Sequence, residues 1–94
     1  MKIYLLTQTE NRGYDTYDSC VVVASSPDEA RLMHPRGDRA WYGNRWAYTD
    51  GSPPSLWGAA AGWAYHPDNV TVEEIGTTLA DTAPRLVCAS FNAG

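Results

Sequence analysis

The sequence predicts an α+β fold: a four-stranded antiparallel sheet in the order β-β-α-β-β, with one helix on a face and a long Trp/Arg-rich excursion between the helix and the third strand. Three observations predict it. Four short segments are rich in strand-forming residues. A single strong helix start, Ser26-Pro27-Asp28-Glu29, follows the second of them. Residues 36–68 keep neither the strand nor the helix period, yet hold all four tryptophans. An antiparallel sheet backed by one helix is the simplest way to bury such elements.

The first strand is expected over residues 2–8, Lys-Ile-Tyr-Leu-Leu-Thr-Gln. Ile3 and Leu5 fall on one face, Tyr4 and Leu6 on the other, so both faces are apolar and the strand is central. Asn11-Arg12-Gly13 marks a turn. The second strand is expected over 17–25, with Cys20, Val22 and Ala24 on one side and Val21 and Val23 on the other. The two make a hairpin with a long loop across 9–16.

Ser26 is then an N-cap, Pro27 the first helical residue, and Glu29 completes a capping box. The helix is expected to run from Pro27 to about His34, where Pro35 and Gly37 stop it. Ala30 and Met33, with Leu32 beside them, can face the sheet.

Residues 36–68 hold Trp41, Trp46, Trp57, Trp63, Tyr42, Tyr48 and Tyr65, with five glycines and three prolines. So many large rings argue against disorder. An ordered, aromatic-stapled excursion is expected, with a short helix near Pro54–Ala61. Residues 69–76 alternate as a half-buried strand, Val70 and Val72 inward, Thr71 and Glu73 outward. Residues 77–85 connect, with one helical turn, to a last strand over 85–91.

Ninety-four residues suit one domain spanning 1–94, with 44% hydrophobic and 19% charged residues, an ordinary globular balance. The net charge of −4 disfavours direct DNA binding and anionic membranes. No apolar run has the length of a membrane span, and Met1-Lys2 runs into a strand without a signal-peptide pattern. Cys20 and Cys88 lie in apolar strands and are expected to be buried, free thiols of a reducing cytoplasm.

Catalytic signatures are absent: no G-x-S-x-G elbow, no phosphate-binding glycine loop, no close Cys or His pair. Cys20, Cys88, His34 and His66 have the atoms for a zinc site but not its spacing, so no metal or other cofactor is expected. His34 is expected to cap the helix C-terminus and His66 to lie in a loop. Tyr14-Asp15-Thr16-Tyr17-Asp18-Ser19 reads as a structured loop held by Asp side chains, or as a small polar site at the mouth of the first hairpin.

Four of the six arginines, Arg31, Arg36, Arg39 and Arg45, fall within fifteen residues, opposed only by Asp38. Trp, Tyr and Arg are the residue types enriched at binding hot spots. The expected contact surface is therefore Arg36, Arg39, Trp41, Tyr42, Arg45 and Trp46, with Trp57 and Trp63 in it or beneath it. Arginine with aromatics also suits a nucleotide, rings on the base and guanidinium on phosphate.

The segments Lys2–Gln8, Gly13-Tyr-Asp-Thr-Tyr-Asp-Ser19, Val21–Ala24, Glu29-Ala-Arg31 with His34-Pro35, Asn69-Val-Thr-Val72, Ile75-Gly76 and Ala89–Gly94 have a further reading. In these the chain resembles a recurring type of small protein encoded by bacteriophages and prophages. The resemblance implies an accessory protein acting in the bacterial host cytoplasm, and it carries no site residue. A non-enzymatic inhibitor of a host defence complex, similar to anti-CRISPR proteins, is the leading expectation. A sponge for a nucleotide defence signal and a virion structural or assembly role are the alternatives, and self-association is compatible with all three.

Overall fold

The computed structural model describes residues 1–52, 62–79 and 83–92. Among the described residues, six strands and one helix follow in chain order: β1 Lys2–Thr7, β2 Thr16–Ala24, α1 Pro27–Arg31, β3 Arg39–Trp41, β4 Trp46–Tyr48, β5 Thr71–Thr77 and β6 Arg85–Asn92. A 3-10 turn, Pro67–Asn69, precedes β5. The fold class is α+β, as the sequence predicts. The main sheet is antiparallel throughout, in the order β5-β1-β2-β6, and β3 and β4 form a separate two-stranded ribbon. The short helix expected near residues 54–61 and Trp57 lie outside the described residues, as does part of the turn expected in 77–85.

β1 is central because it pairs on both sides, Leu6 with Cys20 of β2 and with Val72 of β5. Its period-two pattern sends Tyr4 and Leu6 to the core, where they meet Cys20, Val22 and Ala24 of β2. Ile3, Leu5 and Val21 take the outer face and are only half-buried. Two irregularities in the β2–β6 ladder, at Asp18 and at Val87, re-aim the strand ends.

α1 is shorter than the sequence suggests. Ser26 caps it, its hydroxyl oxygen accepting from the Glu29 N–H at 3.1 Å. The Glu29 carboxylate reaches back to the Ser25 N–H at 2.9 Å rather than to that of Ser26. The helix stops at Arg31 because Met33 pairs across a β-bridge with Ala40 and the Leu32 carbonyl accepts from the Trp41 N–H. The chain is thus drawn into the β3–β4 ribbon before Pro35 can end the helix. Ala30 is buried and Met33 packs on the core, but Leu32 faces solvent.

The ribbon itself departs from expectation, since residues 36–68 carry no strand period. Three-residue strands are too short to establish one. The ribbon is closed by Tyr42-Gly43-Asn44-Arg45, where Gly43 at φ 77° takes a left-handed conformation that costs other residues energy. It covers the core together with the returning segment 62–64. That segment is tied down from three sides: the Gly62 carbonyl accepts from the Tyr17 N–H, the Trp63 carbonyl from Asn11 Nδ2, and the Ala64 carbonyl from Trp46 Nε1.

Candidate functional site

Histidine 34 sits at the centre of the excursion's packing, 1% exposed. Its ring meets Trp46 edge-on at 5.4 Å, with Tyr17 and Trp63 each at 6.4 Å. Trp41 stands edge-to-face on Trp46 at 5.5 Å and on His66 at 4.7 Å. Edge-to-face packing is the favoured geometry for such rings. His34 does not cap the helix: its Nδ1 accepts from the Arg36 N–H at 3.1 Å. His66 Nδ1 likewise accepts from the Asp68 N–H at 3.0 Å and caps the 3-10 turn. Both histidines therefore serve the backbone.

This cluster sorts the expected contact residues. Trp46 and Trp63 are buried and form the core of the excursion, because the domain must put its largest rings somewhere dry. Trp46 therefore supports the expected surface and does not belong to it. Arg39 also leaves that surface: it is 8% exposed, 3.2 Å from the Asp38 carboxylate and stacked 4.6 Å above the Tyr48 ring. Trp41 is half-buried. Arg36, Tyr42 and Arg45 are exposed. Tyr42 and Arg45 close the ribbon tip together, the Tyr42 N–H donating to the Arg45 carbonyl at 2.9 Å. The tip is thus a polar-aromatic pair standing on a rigid indole base.

The second site is at the mouth of the β1–β2 hairpin. An open cleft of about 480 Å³ is lined by Asn11, Arg12, Gly13, Tyr14, Thr16, Asp18 and Asn92. Its loop is held chiefly by a residue that sequence reasoning passed over, Gln8, which is 4% exposed. The Gln8 amide donates to the Asn11 and Tyr17 carbonyls and accepts from the Asn11 N–H. The Thr16 hydroxyl donates to the Gly13 carbonyl, and Asp15 sits at φ 59°. The expected Asp side-chain bonds are thus replaced by Gln8 and Thr16. A signal for Gln8 existed: a long polar side chain at the end of a central strand has to find partners. Glu10 ties the far side, accepting from the Tyr65 N–H and from Asn69.

The cysteines split. Cys20 is buried on the core side, where burial above all, and then the nearby Cys88, push its thiol up to about 12. Cys88 is free and exposed, because β6 is an edge strand and its period puts Cys88 opposite Val21 on the outer face. The two cysteines lie on neighbouring strands but face opposite ways, so they do not form a disulfide with each other. Among the described residues, no cluster of three or more His, Cys, Asp or Glu could hold a metal ion. No described helix is long and apolar enough to cross a membrane. No family model, curated protein or solved structure matches the chain.

Proposed function

We propose that this chain is a non-catalytic binding protein that inhibits a bacterial defence complex by direct contact through the β3–β4 tip. The observation that carries the binding reading is the tip itself. Tyr42 and Arg45 are exposed, their backbones are joined by a hydrogen bond, and the strands that carry them are pinned by the Trp41–Trp46 pair beneath. A contact pair held by a packed base loses little entropy on binding, which is what hot-spot residues need. The class of target rests on the phage-type resemblance alone.

The nucleotide reading has less support. Trp41 and Trp46 pack on each other at 76°, which leaves no slot between them for a base. A thermal-shift screen with cyclic and ADP-ribose-type nucleotides decides it, and a rise of several degrees would reassign the tip to nucleotide.

Arg45→Glu tests the protein-contact reading. Arg45 is exposed, so the melting temperature should stay within about a degree of wild type, as for other surface changes. Capture of the partner from a bacterial lysate, and rescue of phage growth on a defence-bearing host, should both fall by about thirtyfold or more, the loss expected of a hot spot. Full inhibition by the Arg45→Glu protein would remove the tip from the site.

A further inference from the structure

The strand order leaves β5 and β6 as the two edges of the main sheet, and they are built differently. β5 carries Glu73 and Glu74 in mid-strand, with Glu74 ion-paired to Lys2 at 3.0 Å, and its ladder is broken beside Ile75. Charges and bulges of this kind are how natural sheets keep an edge from pairing. β6 lacks most of that protection. After Arg85 it holds no charge, it contains no proline, and seven of its eight residues are exposed. Beyond the irregularity at Val87, the run Cys88–Ser90 is regular; the second irregularity adds its extra residue, Asp18, to β2, and Phe91 follows Ser90 directly, opposite Tyr17. Phe91 is 47% exposed and lies with one side on the Tyr17 ring at 4.8 Å.

We propose that β6 is a self-association edge, pairing antiparallel with β6 of a second copy about Ser90 and joining two four-stranded sheets into one of eight. A two-fold contact must be self-complementary, and this edge is. Ser90 meets the partner's Ser90, Ala89 meets the partner's Phe91, and Cys88 meets the partner's Asn92. Ala89 and Phe91 share the core-side face, since Ala89 pairs with Cys20 and Phe91 with Tyr17. Each exposed ring therefore gains an apolar neighbour across the seam. No charge opposes a like charge, because Arg85 falls outside the paired run. The same operation on β5 about its middle would set Glu74 against Glu74, which is repulsive. On a chain of net charge −4, β6 is the edge with no acidic residue.

Sedimentation equilibrium and concentration-dependent hydrogen exchange test it. The wild type should sediment at twice the mass of one chain, and the amides of Ala89 and Phe91, which point to the free edge, should lose protection on dilution. Ser90 is exposed on the outer face, so at concentrations low enough to hold both as monomers Ser90→Lys and Ser90→Glu should each melt close to wild type. Each variant should weaken the dimer by about tenfold or more, as like charges then meet across the axis. An equimolar mixture of the two should restore dimers. A wild type that stays monomeric at millimolar concentration would overturn the proposal. So would variants that remain dimers, or fast exchange at Ala89 and Phe91 that ignores concentration.

Discussion

Replacing Gln8 by leucine should unfasten the β1–β2 loop without emptying the core. The two side chains are similar in size, so little cavity is left behind. The loss lies in three hydrogen bonds: Nε2 to the Asn11 carbonyl at 2.6 Å, Nε2 to the Tyr17 carbonyl at 2.7 Å, and the Asn11 N–H to Oε1 at 2.7 Å. Each contributes about 1 kcal/mol net, and a buried backbone group left without a partner costs more. Water can reach part of this loop and recovers some of that cost. The expected destabilisation is therefore about 3 kcal/mol, which in a domain of this size lowers the melting temperature by roughly 15 °C. Urea denaturation followed by tryptophan fluorescence measures it directly. Gln8→Glu sharpens the test. It keeps the acceptor for the Asn11 N–H but sets a carboxylate against two carbonyl oxygens, so it should be at least as damaging at neutral pH. Acidification should lessen the difference, because a protonated carboxyl can donate again. A Gln8→Leu protein that loses less than about 1 kcal/mol would refute the assignment of Gln8 as the loop's anchor.

Two further outcomes follow from the core and the thiols. Trp46→Phe removes the 2.8 Å bond to the Ala64 carbonyl in a buried place and should cost about 2 kcal/mol by chemical denaturation, with the fold retained. Thiol titration of the native protein should count one reactive cysteine, Cys88, and two after denaturation, since Cys20 is held neutral up to about 12. The unfolded Cys20 thiol ionises from its ordinary 9.0 upward while the folded one keeps its proton. Its contribution to stability is thus complete below pH 9 and is lost as pH rises toward 12.

The readable parts of the chain were those whose signals are local. The capping residues before Pro27, and the alternation of residues 2–7, 16–24 and 71–77, act through bonds and faces within a few positions of each residue. The β3–β4 ribbon was not readable, because its pairing depends on Leu32 and Met33 reaching across to Trp41 and Ala40. Cys88 and Cys20 look alike in sequence, each within an apolar strand. Only the place of β6 at the edge exposes one while β2 buries the other.

For the candidate site, the available chemistry was already written in the chain: arginine and aromatic residues concentrated between the helix and the third strand of the main sheet. The α+β class was written there too, since hydrophobic period and capping are properties of neighbouring residues. Which of those residues face outward follows from how the folded chain packs. Trp46, Trp63 and Arg39 went inside, where the rings exclude water and the guanidinium lies on Tyr48 beside Asp38. Arg36, Tyr42 and Arg45 stayed out. Composition cannot make that division, because burial is set by what the folded chain brings from far along the sequence: the 62–64 segment and His34 against the ribbon.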